Sequence, residues 1–589
     1  MELTLQQQVA QMIVVRASGH LLDSQAGYPQ WEWPRDRLQP LLQDVGVGGV
    51  LLFGGTVADV MLRVQQMQEW ATIPLLVCAD VEWGVGQRFK GATEFPPAIA
   101  LSHLGPDGVE WARQMGQITA REAAALGINW LFAPVVDVQS NPANPVIDVR
   151  AFGTTPERVG ALSSAFIAGA KSAAVLTTAK HFPGHGDTSV DSHLLLPEIP
   201  HDRDRLESLE WKPFKHAIDA GVDAVMSAHL MVPQIDPDWP ATLSHTLLEG
   251  IVRREWQFEG LIATDAMTMG AITQFPSPDA PLSTAELAVR AVEAGADVIV
   301  MPPQPLDAIQ GICEAVESGR LSRFRIRRSV ERILKAKHRV CDSSRMAQLP
   351  LERMLPGARP VVKSSDGVPT LQELLGTRSV TTQSSPKSSN LERLLETAVS
   401  SSTSTDVVTR AIGTASARQT SEAIARAAVQ TSRSNALPLH PETNWVNWVW
   451  TDSWLGVDYM TPNSPAIASA SERGMQTLLA DLHTPIGMMQ HVLEEAGGIV
   501  LHAFVRSGPF RGYGGLSPAA QQLLMEHVKS VKALICYGSR GAFDRMLAIS
   551  QPYGTPCIYS GDRREVAQAE VVRQLWGTQF QAVAATPEA

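Results

Sequence analysis

Cysteine is scarce in this chain. The five present among 589 residues (Cys78, Cys313, Cys341, Cys536 and Cys557) are odd in number, scattered and never in CxxC spacing. That argues against a disulfide framework and against a zinc knuckle. Basic residues are also in short supply: 49 Lys and Arg stand against 60 Asp and Glu, a formal net charge of -11. No basic run offers the footprint that a nucleic-acid backbone requires, although a local Arg and Lys cluster can still oppose the global sign and hold a small anion. Long apolar runs are absent too, with nothing near the ~18–20 consecutive residues of a membrane span. The opening MELTLQQQVAQMIVV has no basic stretch leading into an apolar core and a small-residue cleavage site. The expectation is a soluble, cytoplasmic protein with no nucleic-acid and no membrane partner.

What is present is an ordinary globular balance, 44% hydrophobic and 19% charged, at a length that suits about two to four domains. Residues 1–340 alternate short apolar runs with stretches of helical period. The runs are Met12–Val15, Gly49–Phe53, Leu75–Asp80, Trp130–Val136, Val175–Lys180, Ala224–His229, Leu261–Asp265 and Asp297–Met301. Eight strands alternating with helices predict an α/β fold whose N-terminal part is a (β/α)8 barrel of the TIM type. From Ser379 to Thr405, 14 of 27 residues are Ser or Thr, so 341–405 reads as a flexible linker, with one short helix at Leu391–Val399. Residues 406–580 read as a smaller open α/β sandwich. Its strands are expected at Asn444–Trp450, Ile499–Val505, Ala533–Tyr537 and Cys557–Tyr559, and its helices near Ser416–Thr431, Pro518–Ser530 and Arg563–Trp576.

In such a barrel the chemistry sits where strands end. Four candidate strands end in ionisable groups: Asp80-Val81-Glu82, Lys180-His181, His229 and Asp265. A lone Asp after a strand is more often a helix cap than a catalyst, but four such ends on one rim are harder to dismiss. The densest cluster is KHFPGHGDTSVDSH at 180–193, where Pro183, Gly184 and Gly186 forbid a helix. Asp191 and His193 lie two apart and share one side of an extended loop. A carboxylate there fixes an imidazole's tautomer, which suits a proton donor and acceptor. Asp265, flanked by Ala266, is an accessible carboxylate able to attack an anomeric carbon. Two bland readings compete for the loop. One is a metal site from His181, His185 and Asp187, although an HxxxH ligand pair normally uses a helix. The other is a merely structural glycine-rich turn.

These residues resemble glycoside hydrolase family 3, specifically its bacterial β-N-acetylglucosaminidase branch. KHFPGHGDTSVDSH is the most specific stretch. GINWLFAPVVDVQSNPANPVIDVRAFG at 127–153, AVMSAHLMVPQID at 224–236 and FEGLIATDAMTMGAI at 258–272 support it. The resemblance implies a retaining exo-glycosidase with Asp265 as nucleophile, His193 as acid/base and Asp191 as its orienting partner. It also implies Asp80, Arg88, Arg150, Lys180 and His181 as contacts of the non-reducing sugar. The substrate would be a terminal β-linked N-acetylglucosamine, from peptidoglycan fragments, with no metal or cofactor required. An imidazole acid/base also leaves phosphate open as an acceptor in place of water, and a β-glucosidase of the same family is a further alternative. Where the branch commonly reads Asp-Gln-Glu-Gly-Gly-Arg-Val, this chain has Asp80-Val81-Glu82-Trp83-Gly84-Val85-Gly86, a departure that bears on the leaving-group side and the fine hydroxyl contacts more than on the reaction.

Signals elsewhere are weaker. Trp445, Trp448, Trp450 and Trp454 fit a core or interface better than a sugar platform. Arg511-Gly512-Tyr513-Gly514-Gly515 reads as a turn, and Ser539 sits in no GxSxG context.

Overall fold

A computed structural model describes residues 2–277, 279–349, 351–355, 411–442, 444–452, 460–505 and 516–577. The first eight strands are β1 (Ile13–Ser18), β2 (Gly49–Phe53), β3 (Leu76–Ala79), β4 (Trp130–Leu131), β5 (Thr178–Phe182), β6 (Ala224–Ser227), β7 (Leu261–Thr264) and β8 (Ile299–Val300). They pair in parallel in the orders β4-β3-β2-β1-β8 and β5-β6-β7. Single bridges, Trp130 to Leu176 and Ala263 to Val298, close the ring. The expected TIM-type barrel is what forms. Its strands read as near-continuous apolar runs because a parallel sheet under helices is buried on both faces.

Local signals place the surrounding helices. Thr56 caps Val57–Trp70 in a capping box with Asp59, and Thr155 caps Pro156–Ala170 with proline in its first turn. Helix Asp107–Ala125 approaches Pro156–Ala170 so closely that a Cβ on Gly116 would lie 2.1 Å from the Phe166 carbonyl oxygen. The barrel floor carries a buried ionic knot at the start of β8. Asp297, fully buried, meets Arg253 at 2.7 Å, Arg332 at 3.3 Å and Arg325 at 3.6 Å.

The start of the expected linker is corrected. Helices Ser343–Ala347 and Leu351–Met354 follow the barrel, and Met354 and Leu355 are buried in the barrel core. The apolar Met354-Leu355 pair, outside the Ser/Thr-rich part, supplies the surface that docks. The short helix at Leu391–Val399 lies outside the described residues.

The second unit is a six-stranded sheet ordered β11-β10-β12-β13-β14-β9. Its strands are β9 (Gln430–Ser432), β10 (Trp445–Thr451), β11 (Gln476–Ala480), β12 (Gly498–Val505), β13 (Val531–Gly538) and β14 (Cys557–Ser560). All pairs are parallel except β9 on β14. The edge strands β9 and β11 carry little apolar patterning and were not expected. The helix expected through Thr431 ends at Ala427, before β9. Along β10, Trp448 and Trp450 pack into one core and Trp445 and Val449 into the other, the period-2 alternation of a two-faced strand. The helix Ala415–Ala427 touches both units: Ile424 enters the barrel core, and Ser421 Oγ accepts from Arg564 at 3.0 Å. No helix among the described residues is long and apolar enough to cross a membrane.

Candidate active site

The C-terminal rim of the barrel collects charge from four strands. Asp80, just past β3, accepts from Lys180 Nζ of β5 at 2.7 Å. Glu82, two residues on, receives Lys180 Nζ at 2.8 Å and a fork from Arg150, Nε at 2.9 Å and a terminal nitrogen at 2.8 Å. Arg88 donates from Nε to the Asp80 carbonyl at 3.1 Å, with its guanidinium 3.9 Å from the Asp80 carboxylate. Burial would push Glu82 up, but Arg150 and Lys180 outweigh it and hold the carboxyl well below the usual range. Burial likewise works against charge on Lys180, and Asp80 and Glu82 together raise it above an ordinary lysine. The rim is therefore a set of fixed charges with the separations of ordinary hydrogen bonds.

His181 is oriented from both sides. Arg150 donates to its Nε2 at 3.2 Å, so the ring proton sits on Nδ1, which donates to Asp137 at 2.7 Å. Asp137, fully buried, also accepts from the backbone N–H of His181 and of His185. Burial raises its carboxyl, yet His181 and His185 hold it below the ordinary value. Asp137 was not among the expected site residues, and Glu82 was named at its strand end without a role. Each carries the signal used for Asp80 and Asp265, a carboxylate at the end of an apolar run.

The loop after β5 places the dyad. Gly186 passes so close to the preceding loop that a Cβ would lie 1.7 Å from the Val138 carbonyl oxygen. His185 is buried between Thr188 Oγ1 at 2.9 Å and Ser192 Oγ at 2.8 Å, and burial lowers its pKa to about 4. It is therefore a neutral latch on the residue between Asp191 and His193. Asp191 Oδ1 accepts from both the backbone N–H and the Nδ1 of His193, each at 2.9 Å. That contact leaves Nε2 as the ring nitrogen turned from Asp191. Asn144 donates to the His185 carbonyl at 2.8 Å and accepts from Val146 and Ile147 N–H, tying the Arg150 loop to this one.

Asp265 follows β7. Its Oδ1 accepts the Ala266 N–H at 2.7 Å. Burial opposes ionisation, but His181, His229, the Ala266 N–H and His193 lower the Asp265 pKa to about 2. His229, kept neutral-leaning by burial, contacts the Ala266 carbonyl at 3.1 Å and Thr242 at 2.8 Å and braces the peptide beside the carboxylate. Two backbone bonds, Gly270 N–H to His193 O and Ala271 N–H to Ser192 O, fasten the loop after β7 to the dyad loop. Asp80, Arg88, Arg150, Lys180 and His181 thus form one hydrogen-bonded array. The Asp191–His193 dyad and Asp265 belong to a second group, linked to the array through His181.

His181, His185 and Asp187, the rival metal set, are each held by a different partner: Asp137, Ser192 with Thr188, and His201 at 2.7 Å respectively. Asp187, His201 and Glu210 do converge, but Arg205 lies 3.7 Å from Asp187 and 3.2 Å from Glu210 and supplies the positive charge there. Ser539 is a helix cap, accepting from Ala542 N–H. Trp454 and Arg511–Gly515 lie outside the described residues.

Comparison with known proteins gives the family. The profile of the glycosyl hydrolase family 3 N terminal domain matches residues 4–336, and that of the bacterial glycosyl hydrolase family 3 C-terminal domain matches 439–577. Beta-hexosaminidase A of Pseudoalteromonas piscicida is 32% identical over 340 residues, 52% of this chain and 56% of that protein. The beta-hexosaminidase of Hydrogenovibrio crunogenus is 34% identical over 296 residues, 48% of this chain and 80% of that one. The matched region thus spans little over half of the first relative. A solved glycoside hydrolase family 3 beta-N-acetylglucosaminidase from Paenibacillus superposes with TM-score 0.72 and 29% identity over 98% of this chain and 97% of its own.

Proposed function

The chain belongs to glycosyl hydrolase family 3, and from that premise we propose that it is a retaining exo-β-N-acetylglucosaminidase acting by double displacement. His193 Nε2 gives its proton to the glycosidic oxygen while the Asp265 carboxylate attacks the anomeric carbon. The leaving sugar or aglycone departs as an alcohol. The neutral imidazole then takes a proton from water as the oxygen of that water displaces Asp265, returning a sugar of the original anomeric configuration. Asp191 holds the Nδ1 proton throughout. Asp80, Arg88, Arg150, Lys180 and His181 bind the hydroxyls of the non-reducing sugar, with Glu82 keeping Arg150 and Lys180 aimed and Asp137 fixing the His181 ring. The source of substrate that fits the family branch is peptidoglycan fragments.

The observation that carries the reading is the pairing of an Asp265 held ionised, at about 2, with a carboxylate-oriented imidazole on the loop bonded to its own. An imidazole acid avoids placing a second anion beside the nucleophile.

The test is release of p-nitrophenol from the β-N-acetylglucosaminide and the β-glucoside, by wild type and Asp265→Asn, with and without phosphate. Preference for the acetylated sugar, lost in the variant, supports the reading. Preference for glucose overturns the substrate, and sugar 1-phosphate appearing with phosphate replaces water as acceptor. Unchanged turnover by Asp265→Asn refutes the mechanism.

A further inference from the structure

Asp80, Glu82 and Arg88 share one excursion of the chain, residues 80–98, between β3 and helix Ile99–Ser102. It folds back on itself into two limbs. Gly86 N–H donates to the Thr93 carbonyl and Phe95 N–H to the Trp83 carbonyl, each at 2.8 Å. Glycines let the limbs touch: a Cβ on Gly84 would lie 2.5 Å from the Thr93 carbonyl oxygen, and one on Gly86 would lie 2.6 Å from the Glu94 nitrogen. The inner limb thus carries Asp80 and Arg88, and residues 93–95 form the outer limb.

The outer limb is gripped by the second unit. Thr93 donates from its N–H at 2.8 Å and its hydroxyl at 2.6 Å to Glu122 of helix Asp107–Ala125, and Glu122 also accepts the Gly413 N–H at 2.8 Å. The Glu94 carbonyl accepts from the Arg564 guanidinium and from Ser421 Oγ. Arg564 immediately precedes helix Glu565–Trp576 and is itself fixed. Asp562, buried, takes its Nε at 3.0 Å and a terminal nitrogen at 2.6 Å, and Ser421 Oγ takes the other at 3.0 Å. The Glu94 side chain ties the inner limb to this clamp. Its carboxylate accepts the Trp83 indole N–H and lies in the field of Arg564, Arg563 and Asp562. Trp83 stands where the branch's motif has a glycine, which has no such donor to offer.

A glycine-rich excursion loses much backbone freedom when it is ordered, so a clamp on its outer limb lowers the ordering that sugar binding would otherwise have to supply. We propose that Arg564 is a positioning residue of the active site. Through Glu94 and Trp83 it fixes the limb that carries Asp80 and Arg88, and so sets how tightly the non-reducing sugar is held. Asp265 and the Asp191–His193 dyad stand on other loops, after β7 and β5, so the effect falls on binding and not on the chemical step. The inference rests on reading Asp80 and Arg88 as sugar contacts.

The test reads KM and kcat for p-nitrophenyl N-acetyl-β-glucosaminide, the Kd of free N-acetylglucosamine by NMR titration, and amide exchange of residues 83–95. Arg564→Ala is expected to raise KM and Kd together about tenfold, the scale of one charge-assisted hydrogen bond, with kcat within about twofold of wild type. Exchange at 83–95 should quicken while that at 185–193 stays the same. Trp83→Phe keeps a ring, removes the N–H and leaves the second unit untouched; a rise of about threefold is expected. Since both act through Glu94, the double variant should rise no further than Arg564→Ala alone. Arg573→Ala, an exposed arginine on the same helix paired with Glu570, should leave KM unchanged. A fall in kcat and Tm with KM unmoved, or a double variant at the product of the single effects, overturns the proposal. If wild type does not cleave the substrate while Kd still rises in Arg564→Ala, the catalytic reading fails and the positioning role stands. If wild type cleaves it and neither KM nor exchange responds to Arg564→Ala, the positioning role fails and the catalytic reading stands.

Discussion

The two rims of the barrel both bury charged residues, and they use them differently. On the floor, Asp297 lies two residues before β8 and is enclosed by Arg253, Arg325 and Arg332, with Ser329 Oγ donating at 2.5 Å. Cations outnumber the anion, no histidine takes part, and Asp297 joins helix Arg323–Val340 to the segment Thr246–Glu255. On the upper rim, Asp80, Glu82 and Asp137 meet Lys180, Arg150 and Arg88, and histidines bridge this array to Asp265. Two of the upper-rim members, Asp80 and Arg88, keep partial solvent access. Burial of an ion pair therefore does not mark a catalytic site. What separates the rims is which end of the strand carries the charge, and whether titratable rings sit among the fixed ions.

Asp265→Asn should break the comparison most sharply. Removing the carboxylate proposed as nucleophile is expected to cost about 10⁴-fold in kcat/KM, or roughly 5 kcal/mol, with little change in Tm; steady-state assays beside calorimetry read both. Asp297→Ala is the mirror image. Stripping the anion from three arginines should cost about 3–5 kcal/mol of unfolding free energy, seen by urea titration. Its KM should stay close to that of wild type. A large KM change there would mean that the floor is coupled to the site.

Asp191→Asn comes next. It loses the fixed tautomer of His193, with an expected drop of about 10²-fold in kcat, largest for poor leaving groups that need full protonation. A uniform loss across leaving groups would reassign Asp191 to loop support alone.

A smaller effect tests what the second unit contributes to the upper rim. Asp148, two residues before Arg150, accepts the Arg540 N–H at 3.0 Å, at the N-terminus of helix Arg540–Ser550. That end of the helix favours an anion. Asp148→Ala should therefore loosen the Arg150 loop and raise KM about tenfold, on the order of 1.4 kcal/mol, while the far-UV spectrum stays the same.

The mildest expected effect follows pH. The folded-state pKa of His185, about 4, lies below the ~6.5 of an unfolded histidine. Between those values the unfolded chain binds the extra proton, so the stability this latch provides is full above about 6.5 and declines as pH falls toward 4. Amide exchange of residues 185–193 should quicken across that window, whereas Asp265, at about 2, stays ionised through it. Exchange that is flat with pH in the wild type, or unaltered in His185→Asn, would remove the latch role.

The barrel was legible because its strands are apolar runs of the right length at regular spacing, and the strand ends Asp80, Lys180, His181 and Asp265 stood out against them. The 180–193 loop was legible for a different reason: its one proline and two glycines exclude helix in a stretch that carries three histidines. Asp137 escaped, and Glu82 was seen without a role, because one carboxylate after a strand looks like any other until its partner is known. Strands β9 and β11 escaped because edge strands need little apolar patterning.

The sequence by itself determined the alternation of strand and helix, the side chains at each strand end and the chemistry they can perform, since these depend on local period and residue type. Only the tertiary structure decided the pairings. Lys180 meets Asp80 across 100 residues and Arg150 meets Glu82 across 68, and Asp148 meets the backbone of Arg540 across 392. Hydrophobic period says which side of an element faces inward and carries no information about which charge waits there. That is settled when the ring of strands closes and desolvation leaves each buried ion dependent on the partner the fold brings to it.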